Sequence, residues 1–247
     1  MRRLKIIVAY EGTVYHGWQV QPDVVTIQET LEHVLAGIEG TPVQVAGSGR
    51  TDAGVHALAQ VAAFNLKNPI PLANLRRAMN RVLPAAIRVL AVEEVATGFH
   101  PRHHAVAKTY EYRIFLGEIC SPFEKRYVHH HPYPLDLNKI VELAPLLEGE
   151  HDFTAFAASD ERDALGESKM RTIFSSRVEL GDQRLIYRVR GSGFLKHMVR
   201  NIIGTLLEAG KGNLGAEDLR GFLTAGCKVK AGPTAPASGL FLVSVEY

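Results

Sequence analysis

Within residues 1–95 the spacing of apolar side chains switches repeatedly between a period of two and a period of 3.6, and the order of those switches restricts the fold. Leu4 to Tyr10 is a β-rich run ended by Glu11-Gly12. Ile27, Leu31, Val34, Leu35 and Ile38 recur at helical spacing, with Thr26 placed to cap the helix and Gly40 to end it. Val43 to Ala46 and Leu58 to Leu66 read as strands on either side of a glycine-rich segment. Leu72 to Leu83 reads as a helix stopped by Pro84, and Ile87 to Val95 as a further strand. The order β-α-β-β-α-β is the split unit of ferredoxin-like folds.

The second half predicts much the same order. Thr109 to Leu116 is a strand with Tyr110, Tyr112 and Ile114 on one face and Glu111, Arg113 and Phe115 on the other. Leu137 to Leu147 is helical, with Ile140, Leu143, Ala144 and Leu147 as its apolar stripe. Ile173 to Leu180 and Arg184 to Arg190 form a hairpin around Gly181-Asp182. Leu195 to Leu207 is an amphipathic helix, followed by a short helix at Ala216 to Leu223 and a strand from Leu240 to Tyr247. The expected fold is therefore α+β, with two ferredoxin-like halves, 1–104 and 105–247, joined near Gly98 to Lys108. Laid edge to edge, they would share a mixed, mainly antiparallel sheet with a central cleft. The polar stretch Ala157 to Ser168 reads as a mobile loop.

The 247 residues are 46% hydrophobic, enough for one large core or two small ones. Twenty-eight Lys and Arg against 26 Asp and Glu leave a formal charge of +2, so a nucleic-acid footprint has to come from clustering. Two cysteines, Cys120 and Cys227, are too few for a disulfide framework or a thiolate metal site. The apolar run at the start is too short for a secretion signal, and no stretch approaches a membrane span, so a soluble cytoplasmic protein is expected.

The segment Gly47-Ser48-Gly49-Arg50-Thr51-Asp52-Ala53-Gly54-Val55-His56 is the most unusual composition in the chain. Its glycines permit a sharp turn and close approach of a ligand. On physics alone it is a tight loop with Asp52 at a turn and Arg50 solvated, and it has neither the phosphate-loop nor the dinucleotide spacing. His100, His103 and His104, and His129 to His131, form local clusters, but neighbours on a strand point to opposite faces, and no metal is assigned. Arg76, Arg77 and Arg81 fall on one predicted helix, and Lys196 stands one helical turn from Arg200. Arg184, Arg188 and Arg190 share one face of a strand, and with Tyr110 and Tyr112 could form a basic, aromatic surface for nucleic acid.

Several segments, in order, resemble the tRNA pseudouridine synthase A family. They are Ala9 to Gln19, Gly49 to Ala57, Lys108 to Arg113, Gly193 to Arg200 and Thr234 to Leu240. The resemblance implies isomerisation of uridine to pseudouridine at positions 38, 39 and 40 of the tRNA anticodon arm. It makes Asp52 the nucleophile, Tyr110 the residue that stacks on the target base, Arg200 the partner of the aspartate and Arg50 a contact to the RNA. It also implies two ferredoxin-like halves, a homodimer, and no cofactor or metal. The target nucleotide must leave its stack, which is least costly in loops and at helix ends. The rival readings are a non-catalytic RNA-binding module and an aspartate-dependent nucleotide hydrolase, the latter wanting a metal-binding carboxylate cluster that the sequence does not suggest.

Overall fold

In a computed structural model, which describes residues 1–159, 168–227 and 229–247, the first strands and helices follow the apolar periodicity closely. They are β1 (Arg2–Tyr10), α1 (Ile27–Glu39), β2 (Ala46–Gly47), β3 (His56–Leu66), α2 (Leu72–Val82) and β4 (Ile87–Val95). There follow β5 (Ala107–Phe115), β6 (His129–His130), α3 (Leu137–Leu143), β7 (Gly149–Asp152), β8 (Met170–Gly181) and β9 (Arg184–Gly191). The last are α4 (Met198–Gly210), α5 (Ala216–Phe222) and β10 (Leu240–Glu246). These form two units, Met1–Val106 with Phe241–Tyr247, and Ala107–Leu240, so the final strand, expected with the C-terminal half, lies almost wholly in the first unit. Both units are α+β.

In the first unit β1 lies between β3 and β4, antiparallel to both. Leu4, Ile6, Val8 and Tyr10 on alternate positions of β1 are buried, as a one-sided strand requires. Ile27, Leu31, Val34 and Leu35 of α1 and Leu75 and Met79 of α2 are buried as well; fully burying one such side chain contributes roughly 1.5–3 kcal/mol. The Thr26 hydroxyl accepts from the Glu29 N–H, and Gly40 at φ 79° closes α1, as the sequence predicts. The strand expected at Val43 to Ala46 shrinks to the two residues of β2, paired with Ala62 and Ala63. The reason lies in α1: Glu32 accepts the Val45 N–H and Gln28 donates to its carbonyl, taking the groups a ladder would use. β10 joins β3 in parallel through Phe241 with His56 and Leu242 with Ala57.

The second unit has strand order β5-β9-β8-β7, with β6 along β5. α3 stops at Leu143 and runs on as a 3₁₀ turn, Ala144–Leu147, because Pro145 has no N–H to continue an α-helix; the predicted stripe of Ile140, Leu143, Ala144 and Leu147 is nonetheless buried. The β8–β9 hairpin turns on Asp182 and Gln183, with Gln183 at φ 50°, one residue beyond the predicted centre. α4 begins at Met198 rather than Leu195, since His197 adopts φ 61°. Lys196 therefore precedes the helix and is not one turn below Arg200. Of the expected loop at 157–168, residues 160–167 lie outside the described residues.

Candidate active site

The residues from Gly47 to His56 join β2 to β3, and the loop is held from below by side chains that the strands bury. Ser48 shares a 2.6 Å hydrogen bond with Gln60 on β3, and the Gln60 amide donates to the Gly49 carbonyl at 2.9 Å. The Tyr10 phenol meets the Thr51 hydroxyl at 2.8 Å. Burial raises the Tyr10 pKa, so the phenol stays neutral at physiological pH. Ser48, Gln60, Thr51 and Tyr10 are all buried, whereas Asp52 is half-buried and Arg50 exposed. The loop thus sinks its hydroxyls into the sheet and keeps Arg50 and Asp52 toward the solvent side.

A second segment, Tyr10 to Trp18, clamps the same loop through main-chain bonds. The Trp18 N–H donates to the Thr51 carbonyl at 3.0 Å, and Gly54 N–H to the Tyr15 carbonyl at 3.2 Å. The Gly12 N–H donates to His56 Nδ1 at 3.0 Å, which requires that nitrogen to be unprotonated. Gly12 is required here, because a Cβ at that position would stand 2.0 Å from the Val55 carbonyl oxygen. His56 in turn stacks on Phe241 of β10, ring centres 4.7 Å apart. Asp52 closes its own turn, its carbonyl accepting from Val55 N–H at 3.1 Å. The segment Tyr10 to Trp18, Gln60 on the adjoining β3 and Phe241 on β10 therefore converge on one short loop.

Arg50 and Asp52 are together on this loop; Tyr110 and Arg200 belong to the second unit. Tyr110, on β5, is buried, with the Phe194 ring edge-on at 5.0 Å. Arg200 lies in the first turn of α4, where its Nε donates to the Ala235 carbonyl at 2.8 Å and its carbonyl accepts the Ala235 N–H at 3.1 Å. Thr234 bonds Asn201, and the Tyr112 hydroxyl donates to the Pro236 carbonyl, so the segment 234–236 is tied both to α4 and to β5. Gly204 makes this approach possible: a Cβ there would sit 1.6 Å from the Pro233 oxygen.

The expected basic and aromatic surface on β5 and β9 is not formed. Directly opposed residues share a face, and Tyr110 and Tyr112 oppose Val189 and Tyr187, while Arg188 opposes Glu111, Arg190 opposes Thr109 and Arg184 opposes Phe115. The tyrosines are on the buried face and the arginines on the other. Those arginines are engaged: Arg188 bonds Glu111 at 2.6 Å and Glu179 at 3.2 Å, Arg184 bonds Glu124 at 2.7 Å, and Arg190 lies over the Phe174 ring. Burial tends to raise the Glu111 carboxyl, but Arg188 and Arg113 outweigh it and hold it below the usual range.

Tyr10, Gln60 and Phe194 are supporting residues that the composition of the loop does not reveal. Tyr10 and Phe194 fall in the segments Ala9 to Gln19 and Gly193 to Arg200, whose roles depend on tertiary contact, and Gln60 is an ordinary strand position in the sequence. Among the described residues no three His, Cys, Asp or Glu side chains converge as a metal site would require, and no helix is long and apolar enough to cross a membrane.

Residues 6–103 and 143–247 match the tRNA pseudouridine synthase family. A protein of Solibacter usitatus (strain Ellin6076) called tRNA pseudouridine synthase A is 65% identical over 247 residues, covering all of both chains. Proteins of the same name from Brevibacillus brevis and Syntrophotalea carbinolica are 43% and 41% identical across all of this chain, covering 100% and 97% of their own lengths. A family match over most of the chain and full-length similarity of this kind show that this chain belongs to the tRNA pseudouridine synthase family.

Proposed function

We propose that the protein isomerises uridine to pseudouridine at positions 38, 39 and 40 of the tRNA anticodon arm, with the Asp52 carboxylate as nucleophile. The observation that carries this reading is the Asp52 loop, a half-buried carboxylate on a turn fixed from three sides, in a chain of this family. Preorganisation of that kind is what a covalent catalyst needs, since misplacement by about 1 Å can cost on the order of 100-fold in rate. Asp52 attacks the base or the sugar carbon, the bond from ribose C1′ to N1 breaks, the uracil turns, C5 bonds to C1′, and the bond to Asp52 breaks to return the free carboxylate. The C5 proton is lost and N1 ends protonated, so substrate and product are isomers and no cofactor is consumed.

Tyr110 supplies a ring on which the extruded base stacks, contributing roughly 1–3 kcal/mol, and its edge contact with Phe194 supports that ring. Arg200, held by the Ala235 backbone, pairs with the aspartate and favours its ionised form. Arg50, exposed on the same loop as Asp52, contacts the RNA. The active form is a cytoplasmic homodimer, which light scattering would test. Incubation with unmodified tRNA transcript and no added metal decides the main reading: pseudouridine in the nuclease digest is expected, and unchanged or cleaved RNA would overturn it. Asp52→Asn removes the nucleophile and is expected to abolish product while leaving tRNA affinity within a few-fold; retained turnover would remove Asp52 from its role.

A further inference from the structure

The chemistry just described makes no use of the arginines of α2 and β4. Arg76, Arg77, Arg81 and Arg88 line an open surface cavity of about 620 Å³, completed by Asn80, Val89 and Leu90. Residues 53–92 contain no Asp or Glu, so four positive charges collect here in a chain whose net charge is only +2. Among the described residues none of these four guanidiniums is in an ion pair.

Two of the four also serve the fold. Arg88 Nη1 donates to the Pro84 and Ile87 carbonyls at 2.7 and 2.6 Å, and Arg76 Nη1 to the Leu90 carbonyl at 3.1 Å. Asn80 takes both the N–H and the carbonyl of Val89, each at 2.8 Å, and these bonds cover the outer edge of β4 in its unit. The other two have no such duty. Arg77 reaches only Asn74 on its own helix, and Arg81 has no hydrogen bond or ion pair among the described residues. They are exposed and four residues apart, a like-charge spacing that disfavours the helix by itself. An uncompensated group of this kind attracts an anion.

The register fixes where the cavity begins. Tyr10 of β1 opposes Ala57 of β3 on one side and Ile87 of β4 on the other. Arg88 and the C-terminal end of α2 thus share one end of the sheet with the Asp52 loop, about 10 Å across two strand spacings. Asn80 reaches Val89 and Arg76 reaches Leu90, so α2 runs back along β4 and carries Arg81, Arg77 and Arg76 progressively away from that end. No aromatic ring lines the cavity to offer a base a stacking platform. Guanidinium forks without stacking partners suit phosphate oxygens, which position an RNA without reading it.

We propose that this cavity binds the phosphodiester backbone of the RNA substrate beside the nucleotide that enters the Asp52 loop. The inference rests on the reading of the substrate as tRNA. It is tested with the full chain carrying Arg77→Gln and Arg81→Gln, neither of which removes a bond to the backbone. Filter binding of tRNA transcript over a range of salt is expected to show about ten-fold weaker affinity near 0.15 M salt, with the slope of log affinity against log salt reduced by about 1–2. At saturating tRNA, kcat is expected to stay within about two-fold, while Arg220→Gln, an exposed arginine of α5, leaves affinity and slope unchanged. Unchanged affinity and slope in the double variant, with the wild type making pseudouridine, would overturn the proposal. A wild type that binds tRNA but makes no pseudouridine breaks the functional reading instead, and the salt slope still decides the cavity.

Discussion

One face of the second unit and one cavity of the first treat charged side chains in opposite ways. On β5 and β9 of the second unit, Glu111 is buried beneath Arg113 and Arg188, Arg188 also reaches Glu179, and Arg184 is matched by Glu124. In the first unit, four arginines share one cavity whose lining holds no carboxylate. Charges matched within the fold have offset their own desolvation and serve chiefly to hold strands together. Charges that the fold positions without matching are the ones a ligand can complete. The second unit therefore spends its ionic groups on structure at this face, and the cavity of the first presents its arginines.

The largest effect is expected at Gly12 of the first unit. Gly12→Ala drives a methyl group into the Val55 carbonyl and displaces the Asp52 loop, so turnover is expected to fall on the order of 100-fold with tRNA affinity little changed. Steady-state kinetics showing wild-type kcat would mean that the loop is not held as described. Next in size, Glu111→Gln leaves two guanidiniums short of their carboxylate. Their side chains are 34% and 45% exposed, so water recovers part of the loss, and the expected destabilisation is about 1–3 kcal/mol in a denaturant titration. The same variant is expected to retain kcat; a collapse in kcat with unchanged stability would make Glu111 a functional carboxylate after all.

The smallest effect is a pH dependence confined to the second unit. Burial, reinforced by His131, His130 and Lys211, pushes His129 down to about 4 from its ordinary 6.5. The unfolded chain therefore takes up this proton first as pH falls, and the stability His129 contributes is complete above pH 6.5 and is lost on the way to pH 4. His129→Gln is expected to flatten the decline of Tm across that window by a few degrees. Parallel Tm profiles for the two proteins would show that His129 does not titrate with folding.

Much of this was legible in the residues themselves. The period of the apolar side chains located α1, α2, β3 and β4 to within two residues, and Thr26 and Gly40 behave as a cap and a stop because such signals act within one turn of chain. Boundaries failed where a distant group intervened. Glu32 and Gln28 of α1 take the backbone bonds expected of a longer β2, and the left-handed His197 delays α4 until Met198. Charge was the least legible property. Arg184, Arg188 and Arg190 stand out as a pattern and prove largely engaged, whereas Arg76, Arg77 and Arg81, notable in the sequence only for sharing a helix, join Arg88 in a group with no ion pair among the described residues.

The sequence by itself determined the succession of strands and helices apart from the short β6 and β7, the family, and Asp52 as the residue on which a chemical reading turns. Those depend on local periodicity and on contiguous motifs, which a linear chain displays in full. Only the tertiary structure decided what holds the Asp52 loop, which face Tyr110 occupies, and which arginines already have partners. Each of those depends on strand register and on contacts between residues 40 or more positions apart, such as Tyr10 with Thr51, Gly12 with His56 and Arg188 with Glu111. The physical reason is that a side chain's charge and shape are written in the sequence, whereas the groups that surround and compensate it are not.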